Sequence, residues 1–337
     1  QDYTVSPNAV RAGLLNVKCH GRLELFKGQP NILLDVAHNP NSIHALVEFL
    51  NSHFANKKLH LILSCSRDKQ YDEIGEILSI KSKTNKVPGL TVILIGEFDP
   101  SLIYVRNKEK NSKEVGINSN VIKYSKDVKE EEVLKKIKEL NKDKSVSGIL
   151  VQLPLPDQID KEKIINSIDP SKDVDGFNPI NVGNLASGNH AIVPCTPLGC
   201  LLLLKKIEKN LSGKHAVIIG RSNLNGKPMA QLLLKENCTV VITHSKTKNL
   251  KEECSKADIL IAAAGVANLV KKDWVKDGSI IIDVGINKQG DNIVGDVCFE
   301  EVKDKVKAIT PVPGGVGPMT IACLLKNTLE CFKARLT

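Results

Sequence analysis

The sequence predicts an α/β protein with two parallel sheets, each covered on both faces by helices. Three observations carry this. From residue 90 onward, short runs rich in Val and Ile alternate with polar, helix-forming stretches; strands without polar alternation belong to sheets buried on both faces. One such run leads straight into a glycine-rich turn at 220–226 and then a helix, the connection that a βα unit needs. And 337 residues are enough for about two domains whose cores need no disulfide staples.

Elements follow in chain order. Residues 21–26 read as a hairpin-like lead-in and 31–35 as a strand ending in Asp35. The turn His38-Asn39-Pro40-Asn41 caps a helix to about residue 54, and a strand follows at 59–63. The polar stretch 81–88 ends in Pro88-Gly89 and marks a boundary. Beyond it, strands are predicted at 90–95, 121–124 and 148–153, with helices at 101–115, 129–141 and 161–167. A second set has strands at 215–219, 239–243, 259–263 and 279–284, with helices at 196–206, 227–236 and a closing helix at 319–334. The two sheets lie on either side of Pro194–Pro197 in the chain. The domains expected are 1–80, 85–197 with 310–337, and 198–309, with a cleft between the last two.

The net charge is +9 and aromatics are 4% of residues. Lysines interleave with glutamates along 126–144, which is a solvated helix face. That distribution, with few rings to stack on bases, argues against nucleic acid as the partner; an anionic small molecule fits the charge as well. No apolar run reaches membrane-spanning length. The 9 cysteines include no C-x-x-C pair and offer no metal-ligand set. Cys200, Cys238 and Cys323 sit in apolar runs as buried thiols, a usage that suits a reducing compartment such as the cytoplasm. The first residue is Gln1, so a targeting segment, and hence an organellar location, stays open.

Two constellations carry chemistry. In KHAVIIGRSNLNGKPM at 214–229 a buried strand meets Gly220, then Ser222 and Gly226, then a helix. Glycines let the backbone approach a pyrophosphate, and a helix N-terminus stabilises its charge. The spacing differs from G-x-G-x-x-G. It also misses a P-loop by one residue, with Pro228 where a Mg²⁺-binding hydroxyl is required. A plain tight turn is the alternative. After the next strand come His244-Ser245-Lys246-Thr247-Lys248, where an NAD site places an acid on the ribose. Arg221, Ser245 and Lys246 instead suit a 2′-phosphate, which favours NADP in a Rossmann-like domain; otherwise they are ordinary polar loop residues. Small residues around Gly265, Gly285 and Ile286 follow two further strands and allow a flat ring to lie close to the backbone.

The second constellation begins with Tyr104 and Lys108, spaced i, i+4 on one helix face. A lysine beside a phenol suits acid–base work, although exposed lysines are common on helices. Gln152 ends an apolar strand, where an amide must find a partner or face a ligand. Asp173-Val174-Asp175-Gly176 is an acidic turn that could accept hydrogen bonds from an aminopyrimidine-like ring, Asp173 being equally a turn or cap residue. The loop ITPVPGGVGPMT at 309–320, with three prolines and three glycines, leads directly into the last helix.

On Tyr104 through Lys108, Gly148 through Pro154 with Gln152, Gly220 through Ser222 with Gly226 through Met229, and Pro311 through Thr320, the chain from about 87 to 335 resembles the bifunctional methylenetetrahydrofolate dehydrogenase/cyclohydrolase family. The resemblance implies oxidation of 5,10-methylenetetrahydrofolate by NADP and hydrolysis of the methenyl product to 10-formyltetrahydrofolate. It implies that Lys108 is the acid–base lysine, tuned by Gln152 and Tyr104, and that Asp175 holds the pterin. Leu153, Pro154, Pro313 and Gly317 then line the folate, and Arg221, Ser222 and Ser245 contact the cofactor. It further implies a homodimer through the cofactor domain, and folates that carry polyglutamate tails as a second polyanion. Asn225 departs from the family's small apolar residue, and the leading helix is reduced to 72–83.

Residues 1–80 differ. Gly21-Arg22-Leu23-Glu24, Leu34 through Pro40 and Asp68-Lys69 resemble the start of the carboxy-terminal domain of folylpolyglutamate synthases, where Asp35 and His38 would face nucleotide. Without a P-loop domain, a truncated α/β lobe with no ligase activity is expected. A partner-dependent ligase fragment and a non-catalytic folate-binding protein are the competing readings.

Overall fold

The computed structural model describes residues 24–26, 32–34, 40–54, 87–96, 108, 111–112, 116–290 and 292–336. They belong to two compact units, Gln1–Val87 and Pro88–Thr337. In the first, β1 (Glu24–Phe26) pairs antiparallel with β2 (Ile32–Leu34), Glu24 opposite Leu34. Helix α1 (Pro40–Phe54) starts on a proline, which lacks only an N–H that would be unpaired there anyway. Ile43, Leu46 and Val47 form its buried stripe. Asp35, His38, the strand expected at 59–63 and the helix expected at 72–83 lie outside the described residues.

In the second unit, β3 (Gly89–Ile95), β4 (Asn118–Tyr124) and β5 (Gly148–Val151) form a parallel sheet in the order β4-β3-β5. Alternation divides β3 between two cores. Ile93 and Ile95 pack with Val133, Ile137 and Ile164, from α2 (Glu130–Lys142) and α3 (Lys161–Ser167). Leu90, Val92 and Leu94 pack on the other face with Cys323, Leu324 and Cys331. A helix expected over 101–115 is described only at Lys108, Asn111 and Ser112, all helical.

Helix α4 (Pro179–Ala186) was not expected, although Asn178 caps it through Ile180 N and Pro179 opens it. Helix α5 (Cys195–Ile207) leads into the second sheet. There β6 (His215–Ile219), α6 (Gly226–Lys235), β7 (Thr239–Thr243), α7 (Leu250–Ser255), β8 (Ile259–Ala262) and β9 (Ile280–Asp283) follow in turn. A hairpin, β10 (Asn287–Gln289) and β11 (Asn292–Val294), precedes α8 (Phe299–Val302) and β12 (Ala308–Ile309). The sheet order is β12-β9-β8-β6-β7, all parallel. Four of these strands are predicted from the sequence; β12 has two residues, too few for a periodic signal.

The last helix, α9 (Val316–Lys333), begins three residues earlier than expected. It packs on α5: a Cβ added to Gly199 would stand 2.9 Å from Met319 Cβ, and Thr196 Oγ1 lies 3.0 Å from Thr320 Oγ1. Both helices serve both sheets. Cys195 and Cys323 join the core of the first, whereas Cys200, Leu204 and Val316 join that of the second. This shared pair links the cores of the two sheets in one compact unit.

Candidate active site

The first cluster forms where β5 ends. Gln152 N donates to Ile93 O at 2.9 Å, so the strand pairing continues one residue past β5. Gln152 Nε2 donates to Leu153 O at 2.8 Å, which turns Oε1 toward Lys108. Lys108 Nζ donates to that oxygen at 2.9 Å. Lys108 is only 8% exposed, so the reading of a solvated surface lysine fails. Tyr104 lies outside the described residues.

Asp175 is placed by its neighbours. Asp173, buried, accepts Asn178 N at 2.7 Å, Gly176 N at 3.1 Å and Asn181 Nδ2 at 3.0 Å. It therefore ties the turn together, and burial raises its carboxyl above the ordinary range. Asn327 on α9 donates to Val174 O at 2.9 Å and Val193 O at 2.8 Å. Asp175 itself is half-buried and keeps its carboxylate near Lys108. Desolvation pushes it up to about 6; the Lys108 ammonium pulls the other way without winning. The buried Cys195 thiol contacts Asp175 Oδ1 at 3.7 Å, and burial drives that thiol well above its usual range. Cys195 and Asn327 escaped sequence reading because their partners lie 20 and 153 residues away.

Leu153 and Pro154 follow Gln152 directly, while Pro313 precedes α9 and Gly317 lies in its first turn. Leu153–Pro154 and Val312–Pro313 are cis peptide bonds. Pro154 and Pro313 are exposed and Leu153 half-buried; a Cβ on Gly317 would meet no atom within 4 Å.

The second cluster lies at the carboxyl end of the five-stranded sheet. Gly220 closes β6 at φ +119°, and a Cβ there would stand 2.3 Å from Ala263 O. A Cβ on Gly226 would stand 2.0 Å from Gly220 O. Only glycines allow the loop to fold this tightly onto α6. Ser222 Oγ accepts Asn225 N at 3.1 Å, while Asn225, with its side chain making no cap bond, supplies the carbonyl for Met229 N. Arg221, Ser222, Ser245 and Lys246 are all exposed, and no acid follows β7 before Glu252. Chain order makes the gap between β6 and β8 the switch point of the sheet, where nucleotides bind in such folds. The tight backbone cradle fits a dinucleotide. Gly265 and Ile286 are exposed on the neighbouring loops and Gly285 is buried.

Those loops rest on two carboxylates. Asp283 Oδ1 accepts Gly285 N and Asp296 N, and Oδ2 accepts Val297 N. Burial pushes Asp283 up to about 6. Asp296, fully buried, accepts Ala264 N, Gly265 N, Val266 N and Asn287 Nδ2. Asp296 left no sequence signal beyond a Gly-Asp pair. Among the described residues no group of three or more His, Cys, Asp or Glu could hold a metal, and no helix is long and apolar enough to cross a membrane.

Comparison with known proteins agrees with this division. Residues 66–175 match the catalytic domain of tetrahydrofolate dehydrogenase/cyclohydrolase, and residues 194–336 match its NAD(P)-binding domain. The match thus reaches back to residue 66, beyond the 87 at which the motifs become specific. The chain is similar to the bifunctional protein FolD of Pelagibacter ubique, 70% identical over 258 residues, 77% of this chain and 92% of that protein. The counterpart from Rickettsia bellii is 56% identical over 260 residues, 77% of this chain and 92% of that protein. Among solved structures, the FolD enzyme of Campylobacter jejuni superposes with a TM-score of 0.76 at 51% identity, covering 79% of this chain and 94% of that one. The Trypanosoma brucei enzyme, solved with NADP and an inhibitor, gives 0.76 at 36% identity over 79% of this chain and 94% of that one. The chain belongs to the tetrahydrofolate dehydrogenase/cyclohydrolase family.

Proposed function

We propose that the chain oxidises 5,10-methylenetetrahydrofolate with NADP and hydrolyses the methenyl product to 10-formyltetrahydrofolate. The observation that carries this reading is the Lys108–Gln152 hydrogen bond, half shielded from water and beside Asp175, in a unit that also holds a dinucleotide cradle.

A dinucleotide held in this cradle would supply the hydride acceptor for the methylene carbon. The protein's own part in that step is alignment, since hydride transfer needs no obligatory base. Gly220 and Gly226 admit the pyrophosphate, and Arg221, Ser222, Ser245 and Lys246 receive the 2′-phosphate through charge-assisted hydrogen bonds. Gly265, Gly285 and Ile286 border the ring. In hydrolysis, water adds to the methenyl carbon, its proton departs and the bond to the pterin nitrogen opens. Lys108 moves the proton, held in place by Gln152, with Tyr104 tuning it as the family resemblance implies. Asp175 accepts hydrogen bonds from the pterin, while Leu153, Pro154, Pro313 and Gly317 line the folate.

The decisive assay is absorbance of methenyltetrahydrofolate formed from the methylene compound, with NADP and NAD in parallel. A signal with NADP is expected. No signal with either cofactor from the folded protein overturns the reading.

The finer points have their own support. A homodimer fits the exposed edge of β7, where Ile242 is 40% exposed, and the helix before it, where Leu234 is 51% exposed. Free, mostly buried thiols suit the cytoplasm, and the 10-formyl product suits one-carbon supply to purine biosynthesis. Polyglutamate tails would be drawn to the net positive charge. The segment ahead of residue 66, where the catalytic-domain match begins, reads best as a lobe like the start of the folylpolyglutamate synthase carboxy-terminal domain, without ligase activity. Its Leu34 through Pro40 motif spans the join from β2 to α1. Glutamate addition to tetrahydrofolate by the purified chain with ATP overturns that view.

A further inference from the structure

The dehydrogenase reading leaves one buried carboxylate without a task. Asp296 is 0% exposed and has no cation among its hydrogen-bond partners. Its charge is met by amides alone. Oδ2 accepts Ala264 N at 2.6 Å and Gly265 N at 2.9 Å; Oδ1 accepts Val266 N and Asn287 Nδ2, both at 2.9 Å. Three consecutive backbone amides wrapped on one carboxylate define a loop's path more tightly than packing can, because each bond to a charged acceptor is strong and directional. The loop needs such support: Ala264, Gly265 and Val266 are all exposed, so no core holds them from the other side.

Asp296 is itself held. Asp283, at the end of β9, accepts Asp296 N at 2.9 Å and Val297 N at 2.9 Å, together with Gly285 N at 3.0 Å. Two glycines make room. A Cβ on Gly285 would stand 2.2 Å from Asp296 Oδ1, and one on Gly295 would stand 1.9 Å from Asp283 Oδ2. The loops after β8 and β9 are thus joined through two acids to the sheet that carries the dinucleotide cradle.

We propose that Asp296 is a positioning residue for the dinucleotide, setting the backbone of residues 264–266 against the bound ring, with Asp283 orienting it. The proposal rests on the dehydrogenase reading above. It assigns to Asp296 no contact with folate and no part in the chemistry at Lys108.

The test uses the full chain with Asp296→Asn, which keeps the shape but turns two acceptor positions into a donor facing donors. The Kd for NADP, by calorimetric titration, is expected to rise about tenfold or more, the change that one lost charged hydrogen bond produces. Hydrolysis of supplied methenyltetrahydrofolate, measured without dinucleotide, is expected to stay within about twofold, since it draws on the other sheet. Asn287→Ala removes one of the four bonds and is expected to raise the Kd by about threefold; if D296N does not fold, this variant decides. Wild-type affinity in the folded variants, or equal loss of NADP binding and hydrolysis, overturns the proposal. Failure of the wild-type chain to oxidise the methylene substrate would instead remove the dehydrogenase reading on which it rests.

Discussion

Lys108 and Asp175 show how far a residue's surroundings decide its chemistry. A lysine on a helix is ordinarily solvated, but here its Nζ donates to Gln152 Oε1 at 2.9 Å and the side chain is almost wholly covered. Lys108→Met keeps the apolar stem and removes the proton carrier. It is expected to lower methenyl hydrolysis by about 10²-fold or more, the range of a lost general acid–base group, while hydride transfer falls less. Hydrolysis at the wild-type rate removes Lys108 from the mechanism. Asp175 adds a pH signature. Its carboxyl is raised to about 6 by desolvation, so it is charged above that pH and neutral below. A raised acid holds its proton more firmly in the folded chain, so its contribution to stability is full below the unfolded value and is lost as pH rises through about 6. Substrate binding runs the other way, because the charged form is the better acceptor. KM for the folate is therefore expected to rise as pH falls through about 6, and Asp175→Asn is expected to bind weakly at every pH without that limb. Steady-state KM from pH 5 to 8 checks it; an identical limb in the variant would assign the titration elsewhere.

The loop from β6 to α6 is built on backbone proximity, so its sensitivity is to volume. A Cβ on Gly226 would stand 2.0 Å from Gly220 O, far inside the approach a methyl group allows. Gly226→Ala must displace the loop, at a cost of about 1–3 kcal/mol. It is expected to weaken NADP binding by about tenfold or more while methenyl hydrolysis persists, as titration and the two assays read. Unchanged affinity would mean that the cradle does not meet the dinucleotide. Most of the elements missed in the sequence share a cause. Two-residue β12, four-residue α8 and six-residue α7 are too short to display a clear period, and β10–β11 is a polar hairpin with little apolar alternation. Helix α4 differs: Asn178-Pro179 is a start signal, but only Asn181 and Leu185 are buried, too few to show a helical period.

At the scale of the whole molecule, the match to the catalytic domain begins at residue 66. The chain from 66 onward is expected to retain both activities within a few-fold, read by the same assays; loss of both would make residues 1–65 part of the enzyme. Ile242→Glu on the exposed edge of β7 is expected to halve the mass in sedimentation, and an unchanged mass places any self-association elsewhere. The α/β class, the parallel sheets and the glycine cradle are legible in the amino-acid order, because they rest on local signals: apolar runs of strand length, a strand–turn–helix junction and glycines close in the chain. That order also named Lys108, Gln152 and Asp175, though their roles came from resemblance. Tertiary structure alone decided that Gln152 turns its oxygen to a lysine 44 residues away, that α5 and α9 serve two cores, and that Asp296 collects the amides of a loop 30 to 32 residues before it. A buried polar group must find a partner, and which partner it finds depends on how the sheets bring distant segments together.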